Sequence, residues 1–211
     1  TVVAVLSRIG KVAAATTATI LLERFHVDAV VFTGVAGGLG EDVRVGDVVI
    51  ANDLLQHDMD ASPLFPRHEV PLYGRARFET DGDLTGQLAL AARQVLGDAA
   101  RHLGRETVTQ FDLSHPQTHQ GLVISGDRFV ATSAESQALR QALPDALAVE
   151  MEGAAVAQVC HDYRVPFTAV RTISDRADDE AHTDFSRFIR EVASRYSLAI
   201  LSQWLRSRQP S

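Results

Sequence analysis

Glu150, Glu152, Ser174 and Asp175 stand at the ends of two apolar runs, Ala146–Val149 and Phe167–Ile173, within the stretch from Ala146 to Asp178. Paired carboxylates can divide chemical labour: one delivers or removes a proton, the other holds negative charge beside a developing cation. Each acid alone also has a plain structural use. Glu152 could stabilise a helix start through the dipole, and Asp175 could close the turn after a strand. Two acids at one edge of adjacent elements point to a task, because a carboxylate at a buried edge is costly without a partner or a function.

Elements must bring these residues together. Val156, Val159, Cys160 and Tyr163 recur at helical spacing between the two apolar runs. Strand, helix and strand of this length predict a crossover unit in a parallel sheet. Ligands of open α/β sheets bind at the carboxyl ends of the strands. Glu152 and Asp175 are therefore expected to face one crevice.

The rest of the chain alternates in the same way. Strands are expected at Val2–Leu6, Ala29–Phe32, Asp47–Leu55 and Leu122–Ser125. Helices are expected at Lys11–Phe25, with Val12, Ala15, Ala18, Thr19 and Leu22 on one face, and at Leu84–Leu103, Ala134–Leu143 and about Asp184–Arg206. Gly34–Gly40 reads as a glycine-rich turn, Gln56–Phe78 as a proline-bearing loop, and Gly104–Gln120 as irregular. The expected class is a three-layer α/β/α fold around a mixed, mostly parallel sheet, in one domain.

Composition excludes several classes. The 211 residues suit one domain, and 45% are hydrophobic, enough for a large core. The net charge of −7, with dispersed lysine and arginine, argues against nucleic-acid binding. The single cysteine, Cys160, sits on an apolar helical stripe, so no disulfide framework exists and a reducing, cytoplasmic setting is expected. No apolar run spans a bilayer, and no membrane partner is expected.

Two motifs need weighing. Thr33-Gly34-Val35-Ala36-Gly37-Gly38 is not the dinucleotide fingerprint. It reads either as a tight turn needing positive φ or as a close backbone approach to a ligand. His57, Asp58 and Asp60 offer two carboxylates and one histidine, a poor zinc set. Local hydrogen bonding is the preferred reading there, and neither metal nor cofactor is expected.

The sequence resembles a known family. Val149–Ala155 (V-E-M-E-G-A-A) and Arg171–Asp178 (R-T-I-S-D-R-A-D) look like the 5′-methylthioadenosine/S-adenosylhomocysteine nucleosidases of the purine nucleoside phosphorylase superfamily. The likeness continues at Ile9–Ala15, Thr33–Gly38 and Ser125–Val130, in order and over nearly the whole chain. It implies hydrolysis of an N-glycosidic bond with release of adenine. By resemblance, Asp175 is the acid for the purine, Ser174 orients it, and Glu152 with the Met151 amide holds the ribose hydroxyls. Arg171 helps hold Glu152 and the water. Phe129 stacks on the purine, the Val130 backbone meets its edge, and Phe185 closes the other side. Ile9, Val35, Ala36, Gly37 and Glu150 complete the expected substrate contacts. Related phosphorylases carry a phosphate-binding arginine where this chain has Phe32, so water is the expected nucleophile. Family nucleosidases often carry serine where this chain has Val35.

The resemblance further implies a homodimer, with Pro63, Leu64 and Phe65 lending an apolar lid to the partner's site. The family's water-activating glutamate lies in a segment that would precede Thr1, so an upstream strand bearing it is expected. Two rival readings stand beside the leading one. One is another purine nucleosidase of the superfamily, acting on futalosine, aminofutalosine or AMP. The other is a non-catalytic nucleoside-binding homologue.

Overall fold

The structure, a computed structural model, describes residues 1–177 and 185–208. Its helices are α1 (Lys11–Phe25), α2 (Gly82–Leu96), α3 (Ala99–Leu103), α4 (Arg105–Gln110), α5 (Ser133–Ala142), α6 (Gly153–Tyr163), α7 (Phe185–Phe188) and α8 (Ser194–Ser207), with a π-helical turn, Ile189–Ala193, joining the last two. The strands are β1 (Val30–Gly38), β2 (Val48–Gln56), β3 (Arg77–Glu79), β4 (Thr118–Ser125), β5 (Ala146–Glu150) and β6 (Phe167–Asp175).

All of these strands belong to one sheet, in the order β3-β2-β4-β5-β1-β6, and β6 returns to pair with β2. The sheet is therefore closed and barrel-like. It is mixed rather than mostly parallel: β1–β6, β2–β4 and β4–β5 are parallel, while β1–β5, β2–β3 and β2–β6 are antiparallel. This corrects the expectation of an open, mostly parallel layer. The crossover expectation fails with it. β5 and β6 are not neighbours; β1 lies between them, antiparallel to β5 and parallel to β6.

Three apolar clusters hold the sheet, the third built around Leu55, Leu122, Ile124 and Val149. Ala14, Ala18 and Leu22 of α1 meet Ala154, Val156, Ala157 and Cys160 of α6 in the first. Leu88, Ala92 and Val95 of α2 pack with Tyr196, Ile200 and Trp204 of α8 in the second. The buried face of α1 is thus the i, i+4, i+8 stripe from Ala14; Ala18 and Leu22 are buried as expected, while Val12 faces solvent against expectation.

Other expectations shift for local reasons. Val2–Leu6 forms no strand; its residues lie along α1, with Val2, Val5 and Leu6 exposed. The expected long helix from Leu84 breaks at Gly97 and Asp98 into α2 and α3. Gly104–Gln120 contains α4. Asp184, the expected start of the last helix, lies outside the described residues.

The glycine-rich segment shows the largest departure. β1 runs straight through it to Gly38, and Gly34, Gly37 and Gly38 are not at positive φ. Small size is what the segment requires. A Cβ on Gly34 would stand 2.8 Å from the Arg171 guanidinium, and one on Gly37 would stand 2.9 Å from both the Asp175 carboxylate and the Ala177 Cβ. Gly37 is also the junction residue: it pairs with Val149 of β5 on one side and, past a register shift, with Asp175 of β6 on the other.

Candidate active site

Gly37 brings the ends of β5 and β6 to one cleft of about 270 Å³. Ile9, Val35, Ala36, Gly37, Phe129, Val130, Glu150, Met151, Glu152, Ser174, Asp175 and Phe185 all line it. Leu64 and Phe65 do not; Leu64 is 83% exposed on its loop. Arg171 does not line the cleft either. It lies behind it, fully buried.

Asp175 is 8% exposed at the end of β6. The Ser174 hydroxyl donates to its Oδ2 at 2.7 Å, and the Ala177 amide donates to Oδ1 at 2.8 Å. Both bonds come from adjacent chain, so they set the carboxyl's orientation as soon as the strand ends.

Glu150 and Glu152 share one turn but have different duties. Glu150 folds back beneath the start of α6 and accepts the Gly153 amide (2.9 and 2.8 Å) and the Glu152 amide (3.1 Å). It also accepts the Ser125 hydroxyl and the Arg171 guanidinium, the latter at 2.6 Å. Side chains of this ion pair are 1% and 2% exposed. Arg171 completes its setting by stacking over the Phe32 ring, 4.2 Å from guanidinium carbon to centroid. Its expected partner was Glu152; the structure pairs it with Glu150 instead.

Glu152 turns to the cleft. Burial pushes its carboxyl above the ordinary glutamate range, the Gly10 amide opposes this, and the Glu150 charge reinforces it. The Gly10 amide donates to Glu152 Oε1 at 2.8 Å. Nothing in local sequence announces this contact, which spans most of the chain.

Phe129 and Phe185 meet edge to face, with centroids 6.1 Å apart and planes at 74°. They form one aromatic corner rather than two faces of a slot. Sequence reasoning missed Arg128, Val149 and Ile189, which also line the cleft. Ile189 lies one helical turn beyond Phe185, and that spacing was the available signal.

The His57–Asp60 stretch holds no metal cluster; among the described residues no group of three or more His, Cys, Asp or Glu is placed to share an ion. Asp58 pairs with Lys11 Nζ at 2.6 Å, and Asp60 accepts the Ser62 amide and hydroxyl. Burial alone would raise the Asp58 carboxyl, but the bonds from Lys11 and from the Asp127 amide outweigh it and hold it low.

A family model of the phosphorylase superfamily matches residues 1–206. This defines the class: an α/β protein with a nucleoside phosphorylase-type sheet and an acid-lined cleft at the strand ends. Among close relatives, a 5′-methylthioadenosine/S-adenosylhomocysteine nucleosidase of Aeromonas salmonicida is 36% identical over 199 residues, covering 94% of this chain and 78% of the relative. The crystal structure of the nucleosidase of that name from Neisseria meningitidis, in complex with methylthio-immucillin-A, superposes with a TM-score of 0.81 at 36% identity, covering 96% of this chain and 79% of the other. An S-adenosylhomocysteine nucleosidase from Streptococcus pyogenes, in complex with 5-methylthiotubericidin, gives 0.77 at 33% identity over 97% and 78%. The chain belongs to the 5′-methylthioadenosine/S-adenosylhomocysteine nucleosidase family.

Proposed function

We propose that this chain hydrolyses the N-glycosidic bond of 5′-methylthioadenosine and S-adenosylhomocysteine, releasing adenine. The observation that carries the reading is the convergence of Asp175 and Glu152 on one cleft with the Phe129–Phe185 corner. Cleavage leaves an oxocarbenium-like sugar and a purine that is a poor leaving group. Asp175 supplies a proton to the imidazole-ring nitrogen of the purine, held in aim by Ser174 and the Ala177 amide. Glu152 accepts hydrogen bonds from the sugar's 2′- and 3′-hydroxyls and sets negative charge beside the developing cation. The Met151 backbone supports the same edge, the Val130 backbone meets the purine, and Phe129 packs on its face.

Glu150 is no candidate for activating the water, because its carboxylate is committed to Arg171, Ser125 and the amides of the turn. Arg171 acts through Glu150, as part of the support under the turn. Water is the nucleophile in this reading. Phe32 occupies the position of the phosphorylases' arginine, and its ring is stacked against Arg171.

The loop from Gln56 to Tyr73 belongs to the same proposal. Leu64 and Leu72 are 83% and 90% exposed. In a homodimer, this loop would bring Leu64 and Phe65 to the apolar end of the partner's cleft. Such long loops with exposed apolar residues are usually functional.

The test is incubation with 5′-methylthioadenosine, in buffers with and without phosphate, followed by chromatography. Free adenine and free 5-methylthioribose are expected in both. A sugar 1-phosphate appearing only with phosphate would replace hydrolysis by phosphorolysis, and no adenine at all would favour a binding role.

A further inference from the structure

Helix α1 begins without a cap of its own. Gly10 stands at its N-cap position at φ 93°, a conformation that favours glycine, and no side chain of the segment bonds the first amides. Two carboxylates from distant parts of the chain do so instead. Glu152 takes the Gly10 amide, and Asp127 Oδ1 takes the Lys11 amide at 2.8 Å. The positive end of the helix dipole favours both anions.

Lys11 then fastens this helix end to the sheet. Its Nζ donates to Asp58 Oδ1 at 2.6 Å and to Gln56 Oε1 at 3.1 Å, and lies 3.8 Å from Asp127. Asp58 Oδ2 in turn accepts the Asp127 amide at 2.9 Å. Gln56 is tied to Gln158 of α6 at 2.8 Å. The ammonium therefore joins the ends of β2 and β4 to the residue next to Gly10, and its side chain is only 16% exposed.

We propose that Lys11 is a positioning residue for Glu152, acting through the Gly10 amide. The proposal rests on the reading of Glu152 as the acceptor of the sugar hydroxyls. With Lys11 and Asp58 engaged, Gly10 is held where its N–H meets Oε1, so the carboxylate is aimed and its anion is favoured against the effect of burial. Glu150 on the same turn and Arg171 on β6 also bear on Glu152, Asp175 and Arg128 line the same cleft, and Asp58 and Asp127 lie behind α1. Only the last two contact the Lys11 anchor.

The test follows the Glu152 carboxyl itself. Its titration is read by carbon NMR, with Glu152→Gln identifying the signal, in the unaltered protein and in Lys11→Met, Asp58→Ala and Lys11→Arg. Loss of the anchor removes a hydrogen bond to the anion, so Lys11→Met and Asp58→Ala should both move the titration to higher pH, while Lys11→Arg restores it. A field effect alone gives opposite signs, because removing the Asp58 anion makes Glu152 easier to ionise. Opposite shifts, or no shift in either variant, overturn the proposal. Adenine release is measured alongside. kcat/KM should fall by up to about 100-fold in Lys11→Met, the scale of a misplaced active-site group. If the unaltered protein releases no adenine, the functional reading fails, and the titrations still decide the contact. Thermal melting shows that each variant is folded.

Discussion

The cleft rim built by β5, α6 and β6 and the loop from Gln56 to Tyr73 are both marked by the sequence as site material, and they are constructed in opposite ways. Rim residues follow directly on buried strand: every residue of β6 is buried except Ser174, and Glu150 and Arg171 form an ion pair beneath the turn. The ends of the loop are tied down, through Asp58 to Lys11 and Tyr73 to Asp162, but its middle is held by local contacts, such as Asp60 with Ser62, and presents Leu64 to solvent. A side chain one or two residues from a packed strand inherits that strand's position. A side chain in the middle of a long loop takes its position from whatever the loop meets.

Four perturbations break or sharpen this contrast. The largest effect belongs to the rim. Asp175→Asn keeps the shape but has no proton to give the purine, so single-turnover adenine release should slow by ~10²–10⁴-fold with the melting temperature little changed. Unimpaired release would remove Asp175 from the chemistry.

Next in size is the support under the rim. Arg171→Met leaves the Glu150 carboxylate buried without its cation, a loss that costs about 3–5 kcal/mol in comparable buried pairs. Urea unfolding should register it as a lower midpoint. A midpoint within error of the unaltered protein would mean that the turn amides and Ser125 alone satisfy Glu150.

A smaller effect lies in the pH profile. Glu152 must be ionised to accept the sugar hydroxyls, and burial raises its carboxyl above the usual glutamate range. A raised carboxyl needs a higher pH to ionise, so the acid limb of kcat/KM should lie above that range. Glu152→Gln should abolish that limb along with most activity. An acid limb at or below the ordinary glutamate value would assign it to a different group.

The smallest effect belongs to the loop. Leu64→Ser should change unfolding free energy by no more than about 0.5 kcal/mol, as for exposed sites generally. If the loop serves a partner's cleft, the same variant raises KM for 5′-methylthioadenosine, and sedimentation gives twice the chain mass. Sedimentation at the single-chain mass under assay conditions would sink the homodimer.

Local patterns in the sequence located much of this. Helix α1 occupies the expected span, and β2, β4, β5 and β6 fall within a few residues of expectation, because each has an apolar run at its centre; β4 also takes in the polar Thr118–Gln120, expected to be irregular. The acids at the ends of β5 and β6 do share a cleft. The route differs from the one expected: they meet across Gly37 of β1, not through a parallel crossover. Val2–Leu6 carries strand-forming residues yet pairs with nothing in the sheet among the described residues, because β-propensity expresses a fit to neighbouring strands rather than a backbone preference.

The sequence by itself determined the alternation of elements, the chemical types at the strand ends and the small residues of β1. These follow from propensity, periodicity and side-chain chemistry, which act over a few residues. The tertiary structure alone decided that the sheet closes through β2 and β6, that Arg171 pairs with Glu150 and not Glu152, and that the amide of Gly10 caps Glu152. Two carboxylates on one turn are chemically alike to any local rule. Which of them meets a buried guanidinium and which meets a helix end depends on distances set by packing between segments far apart in the chain.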